Sequence, residues 1–315
     1  METGAICAAP GRVQFRVFFI VAVPLGSCTP LKTRFIVNLR SGRARKILPA
    51  VRAFAATLPA EVRLTEYARH AAILAAEAVA EGCELVVAVG GDGTMNEVAG
   101  ALVHTPATLG LVPSGSGDGL GRHLGIHGSL RHVFHTLQSG TPRLIDSGLA
   151  DGHPFFSVAG LGLEADIASR FNRLTRRGLP GYLRVGAVAW WHSQPIDYVI
   201  CHDGHREAFR TLTLAVANAS QYGNNTRVAP AASVEDGQLD LVAIPPLSLG
   251  NSLPLLGRLG AGTFTDAAAV RHLRGTRFVI ERATPGLLQT DGEVHEAGRS
   301  VEFVVRPASL RIMTP

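Results

Sequence analysis

Cysteine is scarce: the four present, Cys7, Cys28, Cys83 and Cys201, lie far apart without CxxC or zinc-type spacing, which argues against a disulfide framework and a cysteine metal site. Charge is sparse too, at 17% of residues beside 46% hydrophobic, a balance that excludes a disordered chain. At 315 residues such a composition suits about two cored domains. No run approaches the roughly 20 apolar residues that a membrane-spanning helix needs, so any membrane contact is expected to be peripheral. The excess of 30 Lys+Arg over 25 Asp+Glu suits phosphates, anionic membrane surfaces or nucleic acid alike. Nothing interleaves aromatic with basic residues or resembles a groove-reading motif, so nucleic acid is set aside.

Residues 1–33 stand apart. Arg12 and Arg16 precede the apolar stretch Val17–Leu25, and Leu25-Gly26-Ser27-Cys28 reads like a lipoprotein cleavage site. An exported start is one reading; a loose tail or an upstream-extended reading frame is the other.

From residue 34 the chain alternates short β-branched runs with helical stretches. Phe35-Ile36-Val37, Val62-Arg63-Leu64, Leu85–Val89 and Leu109–Val112 read as strands, and Glu66–Glu81, closed by Gly82, as a crossover helix. That is the pattern of a doubly wound parallel sheet over residues 34–145. Beyond it come extended runs with turn signals: Asp197–Cys201 before Asp203-Gly204, Thr211–Asn218, Leu239–Ile244, Arg277–Ile280 and Val301–Val305. They predict an antiparallel, sandwich-like domain over 146–315, its last strand able to return to the first domain. Helical interludes are expected at Tyr182–Trp191 and Leu249–Gly260.

The strongest motif is Gly90-Gly91-Asp92-Gly93-Thr94, placed directly after a strand and before the helical run Met95–Leu102. Glycines there let backbone N–H groups approach phosphate oxygens, and the helix N-terminus adds partial positive charge. Thr94 and Glu97 have capping-box spacing, which predicts that the helix starts at Thr94. A second glycine loop, Pro113 to Gly119, follows the next strand and should open on the same sheet edge, where ligands bind in such folds. Neither GxxxxGK(S/T) nor a GxGxxG in register is present, so Walker and Rossmann readings fail. A third signal is Gln289-Thr290-Asp291-Gly292-Glu293, two carboxylates at a turn that a surface hairpin could equally show. Phosphoryl transfer to an alcohol needs held phosphates, a divalent cation and a carboxylate to accept the hydroxyl proton, and Asp92, Asp291 and Glu293 could supply the last two needs.

Taken together these segments resemble the diacylglycerol kinase catalytic-domain family, which includes bacterial soluble lipid kinases and sphingosine kinases. Asn38-Leu39-Arg40-Ser41-Gly42 resembles its NPxSG opening, Thr65-Glu66 the residues after its second strand, and Gly90 to Glu97 its GGDGT-x-NE. Pro113-Ser114-Gly115-Ser116 resembles PxGT, Val228-Ala229-Pro230 with Asp236-Gly237 the second domain's segment, and Asp291-Gly292-Glu293 its DGE. The resemblance implies ATP and Mg2+ as cofactors, bound in a cleft between the two domains. It implies nucleotide contacts from Asn38, Ser41, Gly42, Thr65, Gly90, Gly91, Asp92, Gly93, Thr94, Met95, Asn96 and Ser116. Asp291 and Glu293 become the base candidates, with Asp92 binding magnesium or orienting the hydroxyl. A structural magnesium is implied at Asp236, with Ser233 and Gln238 at backbone-carbonyl positions.

Two departures from the pattern matter: Leu39 replaces a proline, and Asp118-Gly119 stand where bacterial members usually carry Asn-Asp. An aspartate there repels nucleotide phosphates unless a cation intervenes. The expected activity is phosphorylation of a lipid hydroxyl, diacylglycerol-like, with sphingoid-base or phosphatidylglycerol phosphorylation as alternatives. A nicotinamide-dinucleotide kinase and a non-catalytic nucleotide- or lipid-binding protein are the competing classes. The expected location is cytoplasmic, peripheral to the inner membrane face, with a membrane lipid as substrate and a homodimer left open. His132 and His135 form only an i, i+3 pair without ligand spacing and read as surface histidines.

Overall fold

The computed structural model describes residues 31–315 apart from 116, 173–184, 187, 190–191, 224–225, 247–253, 256 and 259–260. Both expected helical interludes fall largely on the omitted residues. Four parallel strands, β1 (Thr33–Val37), β2 (Ala60–Leu64), β3 (Leu85–Gly90) and β4 (Thr108–Pro113), lie in the order β2-β1-β3-β4. They are joined by α1 (Ala44–Ala55), α2 (His70–Ala80) and α3 (Asp92–Leu102), and followed by α4 (Gly119–His123) and α5 (Leu130–Ser139). Strand residues alternate between two cores. Phe35, Val37, Val87 and Val89 pack with Val51 of α1 and Val133 and Leu137 of α5, while Ile36, Val86 and Ala88 pack with Leu74 of α2 and Val98 of α3. Helices therefore cover both faces, as near-continuous apolar strands require.

Helix α2 starts at His70, four residues later than the sequence predicts, because Arg69 adopts the left-handed conformation. Its end is as expected: Gly82 is left-handed and Cys83 N–H bonds back to Ala78 O, the hydrogen bonding of a glycine-terminated helix.

The second lobe begins with β5 (Thr141–Ala150), β6 (His153–Phe155), β7 (Val158–Gly162) and α6 (Leu163–Asn172). It continues through β8 (Ile196–His202), β9 (His205–Thr211), β10 (Thr213–Ala217), β11 (Leu239–Ile244), β12 (Arg271–Gly275), β13 (Arg277–Arg282), β14 (Gly286–Thr290), β15 (Glu293–Ala297) and β16 (Ser300–Thr314). Asp203 and Gly204 both have positive φ, the two-residue turn that closes a hairpin between β8 and β9. One antiparallel sheet runs β12-β11-β10-β7-β14-β15. The other is a continuation of the parallel sheet: β16 lies antiparallel to β5 from Phe303 to Thr314, with β13 antiparallel on its other edge near its start, and near its end Arg311 and Ile312 pair in parallel with Thr108 and Leu109 of β4. Phe155, Phe278 and Phe303 fill the core between the two sheets, which form a sandwich. Since β16 and β5 belong to both lobes, the cleft between the lobes has one continuous sheet behind it.

Candidate active site

Three loops meet at the C-terminal ends of β1, β3 and β4. Gly42 is left-handed and sits so close to the Ser114 carbonyl that a Cβ would collide with it. Arg43 N–H donates to that same oxygen at 2.9 Å, and Ser114 Oγ donates to Ser41 O at 3.2 Å. A Cβ on Gly115 would lie 2.8 Å from Gly91 Cα, so only glycine lets the second and third loops touch. The residues that make this cradle are thus glycines for steric reasons, and they leave backbone at the surface.

Helix α3 opens at this cradle with Gly91 as its cap residue and Asp92 as its first residue, and no side chain caps it. The predicted capping box does not form. Thr94 lies inside the first turn, where its Oγ1 accepts from Asn38 Nδ2 at 3.0 Å. Glu97 instead caps the neighbouring helix, accepting from the N–H groups of Arg69 (3.2 Å) and Ala71 (3.0 Å). Strand β3 runs straight into Gly91, so the helix begins three residues before Thr94 and its N-terminal amides stay open to the cleft.

The Asp92 carboxylate accepts from the N–H groups of Asp118 and Gly119, each at 3.2 Å. Burial raises its pKa despite those bonds. Burial, then the charge of Asp92, pushes Asp118 up to about 7, opposed by Arg122. The two carboxyls that the departure at 118 creates therefore face one another.

Across the cleft, the turn between β14 and β15 presents Asp291 and Glu293. Asp291 Oδ2 accepts from Phe156 N (2.7 Å) and Asn96 Nδ2 (2.9 Å), and Oδ1 from Ser157 N (2.9 Å) and Val158 N (3.1 Å). Burial raises this carboxyl to about 6, with the four hydrogen bonds opposing. The cleft itself encloses about 1280 Å3 and is lined by the glycine loops, Arg40, Arg43, Arg122, α6 and the Asp291 turn.

A family model for the diacylglycerol kinase catalytic domain matches residues 32–150, and a model for the YegS C-terminal NAD kinase beta sandwich-like domain matches residues 157–314. The chain belongs to the diacylglycerol kinase catalytic-domain family. Its kinase-class membership agrees with its relatives. A "Probable lipid kinase YegS-like" protein of Pseudomonas putida is 30% identical over 262 residues, covering 81% of this chain and 85% of that one. The "Diacylglycerol kinase" of Bacillus subtilis is 26% identical over 273 residues, 83% and 89% of the two chains. A solved diacylglycerol kinase structure from Bacillus anthracis str. Sterne shares the fold with a TM-score of 0.70 at 18% identity, over 91% of this chain and 98% of that chain.

Within this family frame, Asn38, Ser41, Gly42, Thr65, Gly91, Asp92, Gly93 and Thr94 line the cleft, as do Asp291 and Glu293. Gly90 lies just beneath, against Thr94. Ser116 lies outside the described residues. Two residues anticipated as nucleotide contacts face elsewhere. Met95 is 7% exposed within the apolar core and its amide is used by Gly91 O, so it offers the cleft no group. Asn96 is turned toward the other lobe, where its amide donates to Pro154 O and Asp291.

The anticipated metal residues sit away from the cleft. Ser233 Oγ accepts from Glu235 N, Asp236 Oδ1 from Gln238 N, and Asp236 Oδ2 is paired with Arg274. The Asp236 carboxylate has a cationic partner in Arg274, whereas Ser233 and Gln238 were expected to act through their backbone carbonyls; among the described residues no group of three or more His, Cys, Asp or Glu is placed to hold a metal. The loop is tied down by Asp146, whose carboxylate accepts from Gly237 N and Ala308 N, each at 2.7 Å.

Sequence reading missed Glu164, Gln289 and Tyr222, which line the cleft beside the Asp291 turn. Gln289 was within a noted motif, but no pattern marks Glu164 or Tyr222. Among the described residues no helix is long and apolar enough to cross a membrane.

Proposed function

We propose that this family member is an ATP-dependent lipid kinase that transfers the γ-phosphoryl group to a hydroxyl of a diacylglycerol-like lipid. The observation that carries this reading is the placement of Glu293 across the cleft from an open helix N-terminus wrapped by three glycine loops. Such a cradle favours phosphate oxygens, through N–H groups and the helix dipole, and Arg40, Arg43 and Arg122 add positive charge around it.

The two carboxylates of the turn take different tasks. Asp291 accepts four hydrogen bonds, so its lone pairs are committed and its part is to fix the turn. Glu293 lines the cleft with no side-chain hydrogen bond among the described residues, and it is the group left to accept the hydroxyl proton. Asp92 fits the magnesium that accompanies ATP, being a carboxylate at the phosphate cradle faced by a second one, Asp118. Bound magnesium supplies charge neutralisation of the phosphates. The lipid approaches from the side of α6, at a membrane surface in the cytoplasm.

Transfer of label from γ-labelled ATP with magnesium tests this, using diacylglycerol, phosphatidylglycerol, sphingosine, ceramide and NAD beside Asp92→Ala and Glu293→Ala. Label entering a lipid with wild type and neither variant supports the assignment. Label entering NAD alone overturns it, and ATP binding without transfer to any acceptor shifts the reading to a binding protein.

A further inference from the structure

The Glu164 carboxyl, in the first turn of α6, is engaged from two sides. Gln289 Nε2 donates to its Oε1, and the Tyr222 hydroxyl hydrogen-bonds to the same group. Gly160 leaves room for it, since a Cβ there would run into the carboxyl. Gln289 is itself 3% exposed, and its other end reaches the turn: Oε1 accepts from Gly292 N at 2.8 Å, while Nε2 also contacts Val158 O at 3.3 Å. An amide can serve this geometry in one orientation only, because Nε2 must face the carboxyl and Oε1 the Gly292 N–H. Without Glu164 that orientation loses its main anchor. Gly292 stands between Asp291 and Glu293, and both Asp291 and Gly292 have positive φ, the two-residue turn of a β14–β15 hairpin, whose tip Gln289 ties to the strands through the Gly292 N–H.

We propose that Glu164 is a positioning residue that, through Gln289, holds the Asp291–Gly292–Glu293 turn so that Glu293 faces the cleft. The catalytic consequence rests on the lipid-kinase reading; the structural coupling does not.

The chain works with Glu164 as the neutral acid, which burial favours by pushing its carboxyl up to about 8. Among the described residues, the elements packed against it offer no unpaired cation apart from histidine: β7, β10 and β14 carry no ionisable side chain, and β15 brings Glu293, His295 and Glu296. Asp291 and Tyr222 are further ionisable neighbours among the described residues, and α6's own Arg170 is paired with Asp166 at 2.9 Å. Ionisation above pH 8 therefore places a third negative charge beside those of Asp291 and Glu293, and the turn is expected to shift.

The first test needs no activity: the Gly292 amide is followed by NMR across pH 5–9.5 in wild type, Glu164→Gln and Gln289→Ala. The expected result is an inflection near pH 8 that disappears in both variants. No upper inflection in wild type, or one that persists in Glu164→Gln, overturns the proposal. Kinetics then read the consequence: Glu164→Ala lowers kcat about 10- to 100-fold with the KM for ATP unchanged, the scale on which small misplacements act. Glu164→Gln keeps kcat and loses the alkaline fall in activity. Glu164→Ala and Gln289→Ala are expected to be non-additive in combination. Additive losses, or full activity in Glu164→Ala, overturn the proposal, whereas a wild type that phosphorylates no lipid sinks the lipid-kinase reading and leaves the NMR result to decide this one.

Discussion

Asn96 and Asp291 are 195 residues apart in sequence, yet Asn96 Nδ2 donates to Asp291 Oδ2 at 2.9 Å across the junction of the lobes. The same amide also donates to Pro154 O at 3.2 Å, so one side chain on α3 ties the phosphate-side helix to the turn that carries Glu293. Asn96→Ala is expected to lower kcat about 10²-fold while leaving nucleotide affinity near wild type, because the loss is of alignment rather than of a phosphate contact. Asn96→Asp should be worse, since it sets a like charge against Asp291. Steady-state kinetics beside ATP titration separate the two parameters; a rise in the dissociation constant for ATP equal to the fall in kcat would count against this division of labour.

Asp291 gives the reaction its acid limb. Its folded pKa, about 6, lies above the ordinary carboxylate value, so the carboxyl gains a proton as pH falls through 6. Once protonated it can no longer accept all four donors that hold the turn. The kcat/KM for the lipid should therefore rise with pH up to about 6 and stay level from there to the alkaline fall that sets in near pH 8 with Glu164. Asp291→Asn should lower the rate about 10²–10⁴-fold, the range seen when an acid–base apparatus is disabled, and should remove this limb. A pH profile measured with ATP saturating and lipid limiting checks both statements.

The parallel half of the fold was legible because buried parallel strands are continuous apolar runs, and Phe35–Val37 and Leu85–Val89 leave no other reading. The glycine loops were legible for a related reason, since close backbone approach admits little else. What the sequence hid were contacts made by ordinary residue types at long range. Thr94 and Glu97 have the spacing of a capping box, but the strand delivers its helix three residues early, and Glu97 becomes a cap for a helix that precedes it in sequence. Asn96 reads as part of a phosphate motif and serves the opposite lobe. Glu164 has no motif at all, and its importance arises only when β14 brings Gln289 beside it.

The departure at 118 has its own signature. Asp118 is pushed up to about 7 by burial and the neighbouring Asp92, so in the absence of a cation it is partly ionised at neutral pH and repels phosphate. Asp118→Asn removes that repulsion. Affinity for ATP without magnesium should rise several-fold at pH 8 and change little at pH 6, where the wild-type carboxyl is already neutral. Fluorescence or calorimetric titration at the two pH values in chelator reads the effect, and equal gains at both would show that charge is not its cause.

Arg274 supplies a counter-ion beside the Ser233–Gln238 loop. Its guanidinium pairs with Asp236 and lies 3.4 Å from Asp240 Oδ1, while His272 Nε2 lies 2.6 Å from that same oxygen, so two carboxylates share an internal counter-ion. Asp240 is 1% exposed, and a buried carboxylate that keeps His272 but loses its permanently charged partner is costly. Arg274→Ala should therefore lower the melting temperature, and magnesium in the millimolar range should restore part of the loss by taking the vacated position between the acids. Wild type without nucleotide should show no such response on the β-rich lobe. Thermal unfolding with and without magnesium, followed by hydrogen exchange of β11 and β12, distinguishes the cases: protection of these strands by magnesium in wild type would mean that the loop binds the cation despite Arg274, and no rescue of the variant would mean that the acids cannot hold one.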